Sequence, residues 1–267
     1  PYGLGSWGSR GAVVMAGSVV KASEIVLDKA RQVAAHKLEA VADDIVVTDG
    51  AFAVRGSPGG PSVTWAEIAT TAVVRTIDLP PELVRGLEGA ATYDPYALEH
   101  FPDESGRIHA AATWPNAAHA AVVAVDIRTG HIAIEDYFVV HDCGRIIHPS
   151  VVEGQITGGV AQGIAGAMFE HLQYDATKGQ PQTASFLGYL VPTIAEIPRM
   201  TTEHFETLAP DMPLGIKGVG EAGTIGPPAA IANAVCDALA EYDLDITSNP
   251  ITPMMVRDSV RGREAST

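Results

Sequence analysis

Residues 217–228 read KGVGEAGTIGPP, and the rest of the chain is organised around them. One carboxylate, Glu221, sits among glycines at positions 215, 218, 220, 223 and 226, and Pro227–Pro228 close the run. Glycine allows backbone conformations and close approaches that a side chain would block. A lone acid on such a loop can be brought against something large, flat or metallic. It can equally be the exposed acid of a tight turn, and the local sequence leaves both readings open. The two prolines fit the first turn of a helix. Ala229 to Tyr242 continue that helix, with Ile231, Val235 and Leu239 on one face.

A second glycine-rich stretch precedes it. Residues 151–172, VVEGQITGGVAQGIAGAMFEHL, have the pattern of a helix that contains Gly158, Gly159, Gly163 and Gly166. Each glycine costs about 1 kcal/mol relative to alanine in a helix interior. A loss of about 4 kcal/mol is large against a typical stability of about 5–15 kcal/mol. Close helix packing, or backbone laid against a bound cofactor, must offset it. Gln155 and Gln162 lie two helical turns apart on a shared face. A buried amide there would offer donors and an acceptor to a heterocycle or an oxo ligand; solvated helix glutamines are the other reading.

Working outward, the first eleven residues are rich in Gly and Ser and carry Trp7 and Arg10. A long helix is expected over residues 12–41, with Val19, Ala22, Val26, Ala30 and Val33 on its buried face. Ser9–Arg10–Gly11–Ala12–Val13 lead into it. Backbone N–H groups at a helix start attract anions, and Arg10 could fork onto phosphate; an ordinary cap by Ser9 or Ser6 would look the same. DIVVTD and AFAVR flank Asp49–Gly50, a hairpin signal. Residues 62–74 read as a short helix with Ser62 or Thr64 as cap and Glu67 three residues after Thr64. Residues 75–110 read as irregular. Residues 117–126 and 131–141 form a second hairpin around Thr129–Gly130, the first of its strands partly buried on both faces. A turn at 141–149, an apolar segment at 183–197 and a strand over 201–208 complete the pattern.

Composition narrows the function classes. The 267 residues are 46% hydrophobic and 18% charged, with a net charge of −15. That balance argues against a nucleic-acid binder and against docking on anionic membranes. No apolar run approaches the length of a membrane span. The N-terminus has no basic region followed by an apolar core, so no secretory signal is expected. It does not open on Met, which leaves a processed chain or a piece of something longer. Cys143 and Cys236 stand far apart with no CxxC, so four cysteines for a cluster or a zinc site are lacking, and reduced thiols in the cytoplasm are expected.

Several motifs mislead if read alone. GxGxxG occurs at Gly3, Gly5 and Gly8 and again at Gly218, Gly220 and Gly223. A dinucleotide fingerprint needs a strand before it and a helix opening within it. The first match has no strand ahead of it, and the second has only PLGIK. Asp243 and Asp245 lie about 20 residues on, the spacing at which a ribose-binding acid stands, which keeps a NAD-dependent dehydrogenase domain open as an alternative. The nine histidines show no zinc spacing and are read as structural. Ser150 and Ser185 lack the setting of a nucleophile elbow.

Taken together, the ordered motifs identify a family. GSRGAVVMAGSVVKA (8–22), VAVDIRTGHI (123–132), DCGRIIHPSVVEGQITGGVAQGIAGAMFE (142–170), SFLGYLVPTIAEIP (185–198) and PLGIKGVGEAGTIGPPAAIANAVCDAL (213–239) resemble the molybdenum hydroxylase, or xanthine oxidase, family. The likeness is to the C-terminal part of a molybdopterin-binding large subunit of the carbon monoxide dehydrogenase and aldehyde oxidoreductase type, over almost the full length. The resemblance implies an α+β fold of mixed sheets, β-hairpins and packed glycine-rich helices. One domain would cover 1–257, as one body or two lobes dividing near 130–150, followed by a polar, disordered tail at 258–267.

The resemblance also implies site roles. Glu221 would be the general base, taking a proton from the metal's hydroxyl ligand, with its pKa raised by burial. Gln155 would lie near the molybdenum ligands or the pterin. Ser9, Arg10, Gly11, Ala12 and Val13 would bind the pterin, with Gly220 beside Glu221. The protein would supply no metal ligand, because the pterin dithiolene holds the molybdenum. His148 stands where the family often has Asn. The implied cofactor is a molybdenum–pterin, in the cytosine dinucleotide form, with 2Fe-2S and FAD on partner chains or domains. The implied partners are the remaining large-subunit segment, an iron–sulfur subunit and an FAD subunit, in a dimer of heteromers acting on a small-molecule substrate. A catalytically silent scaffold is the other alternative.

Overall fold

Asp49 and Gly50 both adopt left-handed backbone, φ 49° and 77°, as a two-residue type I′ turn requires. In this computed structural model, which describes residues 5–83, 85–95, 98–99 and 101–264, the turn joins β1 (Ile45–Thr48) to β2 (Ala51–Val54). The chain divides into two compact units, residues 14–96 and residues 1–13 with 97–267. It does not divide near 130–150. The two long strands of the second hairpin pair along residues 116–142, which places that stretch inside one unit.

The unit of residues 14–96 is built on α1 (Gly11–Lys37), whose first turn belongs to the other unit. The helix stops four residues short of the expected Val41. Glu39 takes left-handed backbone at φ 52°, and the Ala40 N–H returns to the Ala35 carbonyl at 2.9 Å, a Schellman-type stop. The C-terminal half of α1 supplies this unit's core: Ala30, Val33 and Ala34 are buried with Ile45, Phe52, Val63 and Ile68. Val19, expected on the buried face, is 60% exposed, because the short strands of this unit cover only the last turns of the helix. Residues 62–64, expected to be helical, form β3 (Ser62–Thr64) on the edge of β2. Helix α2 (Trp65–Ala69) follows, with the expected Thr64–Glu67 capping box in place.

The larger unit centres on β4 (Asn116–Asp126) and β5 (His131–Asp142), antiparallel around the Thr129–Gly130 turn. A bulge opposite Val122 and Val123 changes the phase of β5. Ile132 faces the core before it, and Tyr137, Val139 and His141 after it. β4 alternates exposed with half-buried residues, so it buries one face and not two. From β5 the chain passes into α3 (Pro149–Met168) and returns as β6 (Met200–Phe205), which pairs parallel to β5. The parallel pairing was not legible in the sequence.

Close helix packing offsets part of the glycine cost in α3. A Cβ on Gly159 would lie 3.0 Å from the Gly223 Cα, and one on Gly163 would lie 2.8 Å from the Thr224 carbonyl. Both neighbours belong to α4 (Ala222–Ile225). Pro227 and Pro228 open α5 (Pro227–Ala238) as expected, and α5 packs on β4.

The polar tail expected at 258–267 is largely helical instead. Helix α6 (Pro253–Glu264) buries Val256 and Val260, an i, i+4 pair that anchors a segment whose composition is otherwise polar. Residues 265–267 lie outside the described residues. Among the described residues, no helix is long and apolar enough to cross a membrane.

Candidate active site

The site joins three stretches far apart in sequence, all within the larger unit. Glu221 precedes the first turn of α4. Its Oε1 accepts the Gly8 N–H at 3.1 Å, and its own N–H donates to Ser9 Oγ at 2.8 Å. Ser9 reaches this position with left-handed backbone, φ 58°. Gly218 is needed for the approach, since a Cβ there would sit 2.8 Å from Ser9 Cβ. A Cβ on Gly220 would lie 3.4 Å from Gln155 Oε1 and 3.5 Å from Ser9 Oγ. The expected residues Glu221, Gly220, Ser9 and Gln155 therefore converge. The Glu221 side chain itself is exposed, so the described residues do not supply the burial expected of it.

Arg10 lies half-buried at the start of α1. Its guanidinium stacks 3.5 Å over the Trp7 ring, and Nη2 donates to the Gly5 carbonyl at 3.3 Å. Its Nε is buried with no hydrogen-bond partner among the described residues. Gly11, Ala12 and Val13 form the first turn of α1, where backbone N–H groups lack acceptors within the helix. Val13 is buried and Ala12 exposed. Along α3, Gln155 and Gln162 lie on the exposed face with Gly154 and Gly158. Nothing lies within 4 Å of a Cβ added to Gly154 or Gly158, so bare helix backbone is open beside the Gln155 amide.

The sequence did not reveal how this loop is held. Lys217 Nζ donates to Asp142 Oδ2 at 3.0 Å, with the two side chains 9% and 11% exposed. Asp142 Oδ1 also accepts the N–H of Gly144 at 2.9 Å and of Thr207 at 3.2 Å. Burial opposes the charge on Asp142, but the hydrogen bonds from Gly144, Lys217 and Thr207 outweigh it and hold the carboxyl down to about 2. The Lys217 N–H donates to the Cys143 carbonyl at 2.7 Å, and Gly144 bridges Ile216. Asp142 and Gly144 are spaced as an Asx turn, the only local signal of this arrangement. Lys217, 75 residues away, gave none.

Three histidines line the core face of the sheet. His119 Nδ1 lies 2.9 Å from the Tyr137 hydroxyl, and His204 Nε2 lies 3.2 Å from Glu153 Oε2. Burial holds His141 and His119 below the usual imidazole range, with His204 adding to the effect on His141. Among the described residues, no group of three or more His, Cys, Asp and Glu side chains is placed to hold a metal ion. The second GxGxxG begins in a loop after a short 3₁₀ turn, and its last glycine lies in α4 and packs on α3. It lacks the strand that a dinucleotide fold requires. Gly3 of the first match lies outside the described residues.

The molybdopterin cofactor-binding domain family matches residues 1–198. The chain belongs to that family. It is 37% identical over 98% of its length to the nicotine 6-hydroxylase large subunit of Paenarthrobacter nicotinovorans, covering 30% of that protein. It is 33% identical over 90% of its length to the carbon monoxide dehydrogenase large chain of Afipia carboxidovorans, covering 27% of it. Its fold matches the crystal structure of quinoline 2-oxidoreductase from Pseudomonas putida 86 with a TM-score of 0.85 and 40% identity, over 97% of this chain and 31% of that one. This family member thus spans about 30% of the curated relatives it matches. It is a large-subunit domain of the molybdenum hydroxylases, of carbon monoxide dehydrogenase type, with the α+β fold expected.

The residues present fit a pterin. The buried Arg10 Nε has no partner among the described residues. The first-turn amides of α1, without acceptors in the helix, suit an anionic group, and the open glycine strip beside Gln155 leaves room for a flat one.

Proposed function

We propose that this chain forms the part of a molybdenum hydroxylase site that carries the general base, Glu221. The observation that carries this reading is the seating of Glu221 against the Gly8–Ser9 loop beside Gln155. The molybdenum–pterin, when bound, would supply the two-electron oxidation of substrate, with the metal held by the dithiolene. The chain's residues do the rest. Ser9 and Gly11 to Val13 offer backbone N–H groups to the pterin, and Arg10 offers its Nε, which has no partner among the described residues; the Arg10 N–H is taken by the Trp7 carbonyl. Gln155 presents its amide from the open face of α3, with Gly220 beside it. Glu221 takes a proton at the carboxylate that the Gly8 N–H orients, and a positioned base of this kind contributes about 10²–10⁴-fold to rate.

The rest of the large subunit would close over Glu221 and select the substrate. Electrons would leave through 2Fe-2S and FAD carried by an iron–sulfur subunit and an FAD subunit, in a cytoplasmic dimer of heteromers, with the pterin in its cytosine dinucleotide form. The subunit and large-chain names of the relatives support an assembly, and the two free cysteines suit a reducing compartment.

The test is Glu221→Gln in the assembled protein. Molybdenum should stay near the wild-type content while turnover falls about 10²–10⁴-fold. Normal turnover would remove Glu221 from the base role. A wild-type assembly without molybdenum or pterin would favour the silent scaffold.

A further inference from the structure

The geometry points to Asp142 and Lys217 as a positioning pair that sets where Glu221 stands; the idea rests on the base role proposed above. Lys217 is the first residue of KGVGEAG, four positions before Glu221. Its ammonium is almost wholly out of water and meets one carboxylate, Asp142 Oδ2, at 3.0 Å. Asp142 is fixed in turn by two backbone donors from separate segments, Gly144 after β5 and Thr207 after β6. One carboxylate therefore ties the end of β5, the exit of β6 and the start of the Glu221 loop together.

The backbone repeats the link. The Lys217 N–H reaches the Cys143 carbonyl at 2.7 Å, and the Gly215 carbonyl accepts from both Arg145 and Ala209 at 3.2 and 3.1 Å. Gly144 and Gly215 both take left-handed backbone, φ 66° and 68°. A Cβ on Gly144 would run into the Gly215 carbonyl, so the two segments approach as only glycine allows.

The consequence lies three to four residues on. The loop has two clamps, the Asp142–Lys217 pair at its entry and Ser9 Oγ on the Glu221 N–H at its exit. Between them run Gly218, Val219 and Gly220, two of which are glycines that by themselves do not hold a direction. With the side-chain pair lost, the entry keeps only its backbone bonds, and the exit keeps the Ser9 hydroxyl on the Glu221 N–H and the Gly8 N–H on its carboxylate. An exposed surface ion pair would not act this way. This pair does, because neither charge can be resolvated without moving the loop.

The test uses the complete large subunit in its assembly, with Lys217→Met, Asp142→Asn, the double variant and Lys217→Arg. Hydrogen–deuterium exchange of residues 218–222 should quicken about tenfold or more in Lys217→Met and Asp142→Asn, with α3 and α5 unchanged, as expected for local opening. Lys217→Arg, which keeps the charge, should restore protection. With nicotine, quinoline or carbon monoxide as probe substrate, kcat should fall about 10–100-fold at near-constant KM and wild-type molybdenum content, the scale of a misplaced group. Lys217→Arg should recover most of that loss. Unchanged exchange at 218–222, or faster exchange spread evenly through α3 and α5, overturns the proposal and leaves the pair merely structural. Glu221→Gln run alongside separates the two ideas. Full activity in that variant sinks the base role, while the exchange data still judge the pair.

Discussion

The Gly8 N–H donates to Glu221 Oε1 at 3.1 Å while the Glu221 N–H donates to Ser9 Oγ at 2.8 Å. The loop of residues 8–9 and the KGVGEAG loop thus clasp one another across 212 residues of sequence. Ser9 bears both the hydroxyl and the left-handed backbone that the clasp needs, and substitutions can separate the two. Ser9→Ala should lose about 1 kcal/mol from the missing hydrogen bond. Ser9→Gly also loses the bond, but it avoids the left-handed strain of about 1–2 kcal/mol. Denaturant unfolding should therefore rank wild type and Ser9→Gly close together, with Ser9→Ala below both. If Ser9→Ala matched wild type, the hydroxyl contributes nothing.

The glycines of α3 and α4 should respond in opposite directions. A Cβ on Gly223 would sit 2.5 Å from the Ile156 carbonyl, a backbone atom with little room to give. Gly223→Ala is expected to destabilise by about 1–3 kcal/mol, as overpacking does. Gly158→Ala meets nothing within 4 Å and should stabilise α3 by up to about 1 kcal/mol through helix propensity. The same methyl would stand on the open strip beside Gln155. Pterin content should then drop in Gly158→Ala although the protein melts higher. Retained cofactor in that variant would place the pterin elsewhere.

Acid should weaken the Asp142 anchor. Its carboxyl is held at about 2 against an ordinary 3.8. A depressed carboxyl contributes stability above its unfolded value and loses it as pH falls through the folded one. The contribution, about 2 kcal/mol from a shift of this size, should be complete above about pH 4 and fade towards pH 2. Asp142→Asn should flatten that part of the pH–stability curve relative to wild type, measured by denaturant unfolding from pH 2 to 5. A parallel curve would show that other groups carry the acid response.

The C-terminal helix should prove structural. Val256 and Val260 are each 1% exposed, and Val260→Ala should cost about 1–2 kcal/mol, somewhat less than the loss of a larger buried side chain. Removing residues 258–267 should cost at least as much. A truncated protein with an unchanged melting temperature would restore the view of this segment as a free tail.

Wherever a few neighbouring residues decide conformation, the sequence was enough. Asp49–Gly50 set a hairpin because both residues tolerate positive φ. Thr64 and Glu67 capped a helix because each satisfies the other's backbone N–H. Pro227 opened α5 because it has no N–H to leave unbonded. The ordered motifs were specific enough to name the family and to single out Glu221, Gln155 and the Ser9–Val13 loop. Tertiary structure decided what depends on distant partners. It turned the α3 glycines into a packing seam at 159 and 163 and an open strip at 154 and 158. It found Asp142 for Lys217 and Gly8 for Glu221, placed β6 parallel to β5, and drew a polar segment into α6. The physical reason is range. Turn and cap energies act over three or four residues and are written in local sequence, whereas burial, ion pairing and strand pairing depend on segments that only the folded chain brings together.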